Sequence, residues 1–226
     1  MINDEFYMSL AIKKAWEFQI LTYPNPAVGC VILDASGRLL SVAAHKKAGF
    51  LHAEPSAILL ALCQKSEAFL RDFLRAYNAA FGIKFESAAE LKNADLEPNF
   101  TYEYILQNHG DLLKGAKAYV TLEPCAHRGK TPPCAELLGR LKFAEVVIAR
   151  GDENAVASGG ADILKSGGVA VKFDVLRREA DELIEPFLAW QSGNFSFFKL
   201  ALSANGVAVG TAQSKIISNL ASRTHS

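Results

Sequence analysis

Short apolar runs of strand length alternate along the chain with longer segments whose apolar residues recur every three or four positions. The runs are rich in β-branched and aliphatic residues and predict five strands: VGCVILD, GRLLSVAAH, AKAYVTL, AEVVIAR and VAVKFDV. The longer segments predict helices that begin near Asn3 or Asp4, at about Ala53, after Pro132-Pro133, and within GGADILKSGG and READELIEPFLAWQ. Strands that alternate with helices predict a three-layer α/β/α domain. The DASG turn makes the first two strands a hairpin, so the sheet is expected to be mixed.

Residues 65–114 show no strand pattern. Instead they carry an aromatic series at four-residue steps: Phe69, Phe73, Tyr77, Phe81 and Phe85. Such steps drift slowly around a helix, so this segment is interpreted as a helical insertion with one apolar face. That face packs on the parent domain, or it serves as a dimer surface or active-site cover. We therefore expect one domain over residues 1–190. Residues 191–226 are expected to form a linker and the truncated beginning of a second domain.

Composition and charge narrow the class of partner. Half of the residues are hydrophobic, and 24 basic residues balance 24 acidic ones. A protein that grips long nucleic acid usually has a basic surplus, so the balance favours a small-molecule partner. The amino terminus lacks the basic and apolar regions of a signal peptide, and no apolar run approaches the roughly 20 residues of a membrane span. We expect a cytoplasmic protein without membrane association.

The stretch VTLEPCAHRGKTPPC contains Cys125 and Cys134, two of the four cysteines. Thiols are kept reduced in the cytoplasm, which favours metal binding or chemistry over a disulfide. His52, upstream in HAEPSAILL, adds an imidazole, and one imidazole with two thiols suits zinc. Three protein ligands would leave a fourth position open for water, which is typical of a catalytic site. His52 and Cys134 each stand at a predicted helix start, and neighbouring starts meet at one sheet edge.

Glu54 follows His52 by two positions, within reach of that water but off the metal. Its carboxylate could take a proton from the water and return it to a ring nitrogen and a departing amine. Zinc deaminases carry the pattern H-x-E…P-C-x-x-C, whereas eight residues separate the two cysteines here. A non-catalytic zinc-stabilised module is the alternative, and such a module has no need of an unligated carboxylate beside the metal.

The stretches HAE, TLEPCAHRGKTPPC, YPNPAVGCVI and FKLALSANG closely resemble the bacterial bifunctional riboflavin-biosynthesis deaminase–reductase family. The resemblance covers roughly 1–64 and 115–206, and wide cysteine spacing is the rule in that family. It implies a cytidine-deaminase-like fold and hydrolytic deamination of 2,5-diamino-6-ribosylamino-4(3H)-pyrimidinone 5′-phosphate, a pyrimidine ribonucleotide. One zinc per chain would be held by His52, Cys125 and Cys134. A nucleoside or tRNA deaminase is the enzymatic alternative, which the spacing and the neutral charge disfavour.

The same resemblance implies the substrate contacts. Asn25 would bind the pyrimidine ring, and the ribose-phosphate side would be lined by His45, His127, Lys130 and Thr131. A plainer interpretation stays open for three of them. Asn25 between prolines suits a turn, and His127 and Lys130 could be ordinary surface groups.

Several positions depart from the family pattern. Pro55-Ser56 replace the usual Val-His after HAE, Tyr23 replaces a histidine, and Asn205 replaces the aspartate of the reductase opening. The sequence ends before most of a reductase could be formed, so NADPH binding is expected only if a complete reductase domain is present elsewhere. The sequence leaves the formation of a homo-oligomer open.

Overall fold

The computed structural model describes residues 3–127, 132–152 and 158–193. In these residues each of the five predicted runs forms a strand. The strands are β1 (Gly29–Leu33), β2 (Leu39–Ala44), β3 (Lys117–Val120), β4 (Glu145–Ile148) and β5 (Ala170–Lys172). The helices are α1 (Asp4–Trp16), α2 (Ala53–Lys65), α3 (Glu67–Phe81), α4 (Ala88–Asn93), α5 (Pro98–Asn108), α6 (Cys134–Arg140), α7 (Gly160–Ser166) and α8 (Arg177–Ser192).

The strands form one mixed sheet in the order β2-β1-β3-β4-β5. β1 runs antiparallel to both β2 and β3, whereas β3, β4 and β5 are parallel. A short turn can join only antiparallel neighbours, so the parallel strands are connected through α6 and α7. The prediction of a mixed sheet that begins with a hairpin is confirmed.

Alternate side chains of the sheet enter two different cores. Cys30 and Ile32 of β1 belong to the core that contains α2, together with residues of α6 and α7. Val31 and Leu33 belong to a second core that contains α1 and the start of α8. Because successive strand residues point to opposite faces, both faces of the sheet are covered by helices. The predicted three-layer α/β/α architecture is confirmed.

Helix α1 packs directly onto the sheet. The side chain of Asn3 accepts a hydrogen bond from the backbone N–H of Phe6, which makes Asn3 the N-cap. A Cβ atom at Gly29 would lie 2.0 Å from the carbonyl oxygen of Ala11. Only glycine therefore allows α1 to approach the start of β1 this closely.

Residues 67–108 form three helices that pack against α2. Phe69, Phe73 and Tyr77 are buried in the same core as α2, which confirms the interpretation that the stripe packs on the parent domain. None of the described residues lining the large cavity presented below belongs to this segment. In this structure the insertion therefore supports α2 and does not cover the cavity.

Replacing Phe73 with alanine is expected to lower the free energy of unfolding by about 3–5 kcal/mol, because its ring is fully buried between Tyr77 and Tyr104. Phe81→Ala removes the same ring from the same helix at a position that is 39% exposed, and we expect a much smaller loss. Denaturant titration of both variants checks this. Equal losses would contradict the assigned packing.

Among the described residues, no helix combines the length and the apolar character that crossing a membrane requires.

Candidate active site

Four chain segments meet at one edge of the sheet. β1 begins there and β2, β3 and β4 end there, as the pairing of Gly29 with Ala44 and of Cys30 with Val120 shows. Thr121 ties two of these segments together, since its hydroxyl accepts the Gly29 N–H at 3.0 Å. Segments that leave the ends of strands at a common edge are where sites form in α/β folds.

His52, Cys125 and Cys134 come together at this edge. The Nδ1 atom of His52 lies 3.8 Å from the Cys125 sulfur and 3.5 Å from the Cys134 sulfur. All three potential ligand atoms lie within 4.8 Å of one another. His52 is the N-cap of α2 and Cys134 is the first residue of α6, so the two predicted helix starts are confirmed.

These separations suit a tetrahedral zinc ion. Zinc binds nitrogen at about 2.0–2.1 Å and sulfur at about 2.3 Å, so a nitrogen and a sulfur on one tetrahedral zinc lie roughly 3.6 Å apart. The two observed nitrogen–sulfur distances bracket that value. All four cysteines are free thiols, which leaves both sulfurs of the cluster available as ligands.

The two thiols of the cluster differ in charge. Hydrogen bonds from the Cys134 thiol and from His52 lower the pKa of Cys125 to about 4, so Cys125 is a thiolate. The backbone N–H of Cys134 also points at this sulfur, at 3.4 Å. The hydrogen bond to Cys125 and burial raise the pKa of Cys134. A metal ion that binds both sulfurs must displace the proton of Cys134.

Glu54 lies beside the cluster and outside the three-ligand group. Glu54 is only 3% exposed, and its carboxyl group hydrogen-bonds Cys134. Burial, and then the negative charge of Cys125, raises the pKa of Glu54 to about 7. A carboxyl group with this pKa exchanges protons readily near neutral pH, as a general acid and base must.

Asn25 and His45 form a hydrogen-bonded pair beside the cluster, with the His45 ring centroid 5.2 Å from that of His52. The Nδ1 atom of His45 lies 2.9 Å from the Leu51 carbonyl oxygen, so Nδ1 carries the hydrogen and Nε2 accepts from the Asn25 amide at 3.0 Å. Burial lowers the pKa of His45 to about 4, and the ring is neutral. Asn25 is also a turn residue, because the hydroxyl of Thr22 donates to its carbonyl oxygen.

A cavity of about 400 Å³ lies above the cluster, a size that suits a small molecule. His52, Glu54 and Cys125 line it together with Asn25, His45 and the exposed His127. The structure thus brings every described residue of the predicted site to one place. Lys130 and Thr131 lie outside the described residues.

Helix α8 forms one wall of the cavity, and sequence reasoning did not predict this. Phe187 and Gln191 line the cavity, and the Trp190 ring contacts Tyr23 at a centroid distance of 4.3 Å. The periodicity of α8 predicts a helix, but no local pattern indicates that its last turn reaches the site.

Helix α5 supports the loop that carries Cys134. Sequence reasoning did not predict this contact. The hydroxyl group of Tyr102 donates to the carbonyl oxygen of Pro133 at 3.0 Å, next to Cys134. The insertion therefore contacts the backbone that presents one of the ligands.

Two known proteins are similar in sequence to this chain. RibD, the riboflavin biosynthesis protein of Bacillus amyloliquefaciens, is 33% identical over 224 residues, which are 97% of this chain and 47% of the relative. The diaminohydroxyphosphoribosylamino-pyrimidine deaminase of Buchnera aphidicola (subsp. Schizaphis graminum) is 29% identical over 82% of this chain and 94% of its own length. The chain thus spans about half the length of the RibD relative and nearly all of the shorter deaminase.

A solved structure is also similar to the structure of this chain. Acinetobacter baumannii RibD (form 1) superposes with a TM-score of 0.58 at 31% identity, over 98% of this chain and 50% of that one. Residues 1–150 match the family model described as the cytidine and deoxycytidylate deaminase zinc-binding region. Because this match covers more than half of the chain and includes all three ligand positions, the chain belongs to that zinc-binding deaminase family.

Proposed function

We propose that the chain catalyses the hydrolytic deamination of 2,5-diamino-6-ribosylamino-4(3H)-pyrimidinone 5′-phosphate with one zinc ion. The observation that carries the proposal is the convergence of His52 Nδ1 with the sulfurs of Cys125 and Cys134, beside the buried Glu54. The similarity to the Buchnera deaminase over 94% of its length supports this substrate class. The reaction consumes one water and releases one ammonia as the exocyclic C–N bond becomes C=O.

His52, Cys125 and Cys134 would hold the zinc. When bound there, zinc lowers the pKa of a water at its remaining position toward neutrality. Glu54 would take the two protons of this water in turn, delivering one to the ring nitrogen and the other to the departing amine. Burial raises the pKa of this carboxyl group, which favours its taking up a proton and returning it later.

Asn25 is proposed to hydrogen-bond the pyrimidine ring. The neutral His45 accepts from the Asn25 amide nitrogen, which leaves the amide oxygen of Asn25 to accept from ring N–H groups. A direct contact between His45 and the ribose phosphate would require one of its two protein hydrogen bonds to open. We therefore propose that His45 orients Asn25, while His127, Lys130 and Thr131 are proposed for the phosphate side.

Some expectations extend beyond the described residues. The assignment of 191–226 to a linker and the beginning of a reductase-like domain stays a prediction, and α8 continues to Ser192.

NADPH is expected only with a complete reductase domain. A cytoplasmic location is proposed because it keeps the two ligand thiols reduced.

Turnover by the purified chain tests the proposal. We expect loss of the diaminopyrimidine ultraviolet absorption together with release of one ammonia per substrate. A chelator should abolish both signals and added zinc should restore them. Cytidine, deoxycytidylate and tRNA serve as comparison substrates. Faster turnover of any of these would favour the nucleoside or tRNA alternative, and no turnover of any substrate by zinc-loaded chain would favour a non-catalytic module.

A further inference from the structure

We propose that Glu123 is a positioning residue that sets the place of Cys125 and thereby the affinity and geometry of the metal site. Glu123 lies two residues before Cys125, between the end of β3 and the cluster. This inference rests on the metal site of the proposed function, but it does not depend on which substrate the chain deaminates.

Both carboxylate oxygens of Glu123 are bonded to backbone amides. Oε1 accepts from the N–H groups of Gly159 at 3.2 Å and Ala161 at 2.9 Å. Oε2 accepts from the N–H of Asp152 at 3.2 Å. The backbone N–H of Glu123 donates in turn to the Arg150 carbonyl oxygen at 2.8 Å. One residue thus joins the ligand-bearing segment to both the end of β4 and the start of α7.

The packing around Pro124 makes this connection rigid. A Cβ atom at Gly160 would lie 1.7 Å from the Pro124 carbonyl oxygen and 3.3 Å from the Cβ of Ala135. The start of α7 therefore sits directly on the peptide that precedes Cys125. Glu123 holds α7 in this place through the amides on either side of Gly160. A shift of α7 would allow Pro124 and the Cys125 sulfur to move.

Glu123 lines the cavity, yet it is not suited to the chemistry of Glu54. Its oxygens are already occupied by three backbone N–H bonds, and no thiol of the cluster is bonded to it in the described contacts. Loss of groups that orient metal ligands typically reduces metal affinity about 10–100-fold. That range gives the expected size of the effect.

The test compares Glu123→Gln with Glu90→Gln. Glutamine keeps the shape of the side chain but has an NH2 group, which donates, in place of one acceptor oxygen. It must therefore lose the hydrogen bond from the N–H of Asp152 or those from the N–H groups at the start of α7. Glu90 is the control, because its carboxylate likewise accepts backbone N–H bonds, two of them at one oxygen, but lies in α4, away from the site. For each protein the affinity for Co²⁺ and Zn²⁺, the visible spectrum of bound Co²⁺ and the unfolding midpoint are measured.

We expect Glu123→Gln to bind both metals about 10–100-fold more weakly and to shift the Co²⁺ spectrum. Glu90→Gln should keep the parent affinity and spectrum. Glu123→Asp, which keeps the charge on a shorter arm, should show an intermediate spectrum and serves if the glutamine variant does not fold. Parent-like affinity and spectrum in either Glu123 variant would overturn the inference.

The outcomes separate this inference from the proposed function. If the parent chain binds Co²⁺ at one per chain but does not deaminate the pyrimidine nucleotide, the function is wrong and the comparison of variants still decides the role of Glu123. If the parent chain binds no metal, the proposed function and this inference both fail.

Discussion

Replacing Glu54 with glutamine is expected to lower kcat by about 10²–10⁴-fold while zinc stays bound at one ion per chain. The amide keeps the size of the carboxyl group but cannot accept the proton that the attacking water loses. Zinc should remain because Glu54 lies outside the three-ligand group. Steady-state deamination kinetics and elemental analysis of the same preparation measure both quantities.

The control for this experiment is Glu136→Gln. Glu136 lies two residues after Cys134 in α6, but its side chain is half exposed and pairs with Arg140 at the surface. We expect parent-like kcat in this control. Full activity of Glu54→Gln would remove Glu54 from the mechanism.

The second large effect is expected for Cys125→Ser. Serine does not supply the thiolate that His52 and the Cys134 amide stabilise, so zinc affinity should fall by several orders of magnitude. A ligand present at about 1,000 times its Kd adds about 4 kcal/mol to the free energy of unfolding, and the variant should lose that gain. Zinc titration and denaturant unfolding with and without zinc measure the two effects.

Cys63→Ser is the control, because it makes the same replacement at a cysteine that is buried in the core within α2 and outside the cluster. This variant should lose some stability and keep its zinc. Zinc bound with parent affinity by Cys125→Ser would show that the ligand assignment is wrong.

Much of the fold could be predicted because its signals are local. Pro132-Pro133 stop the preceding segment, and α6 begins at Cys134 as predicted. Helix α2 begins at Ala53 and tolerates Pro55, because a proline in the first turn lacks only an N–H that has no helical partner. The ligand set could be predicted for the same reason, since His52 and Cys134 stand at these two helix starts.

The features that sequence reasoning missed depend on contacts between segments that are distant in the sequence. The bond from Tyr102 to Pro133 joins residues 31 positions apart, and the contacts of Glu123 with Gly159 and Ala161 span even more. Phe187 reaches the cavity only because α8 folds back against α1. Apolar periodicity specifies which face of a helix is buried, but it does not specify which segment covers that face.

The neutral state of His45 is a further example. The resemblance implies a place for His45 on the ribose-phosphate side, and burial together with the Leu51 carbonyl makes this ring a neutral acceptor for Asn25. Its hydrogen-bond partner and its burial arise from tertiary packing, which a single sequence does not display.

X-ray absorption at the zinc edge of the purified, zinc-loaded chain tests the central claim most directly. The account predicts two sulfur ligands at about 2.3 Å and two nitrogen or oxygen ligands at about 2.0–2.1 Å. The sulfur signal should disappear in part in Cys134→Ser. A zinc shell with four sulfurs, or with none, would contradict the assignment of His52, Cys125 and Cys134 as the ligands and, with it, the proposed deamination.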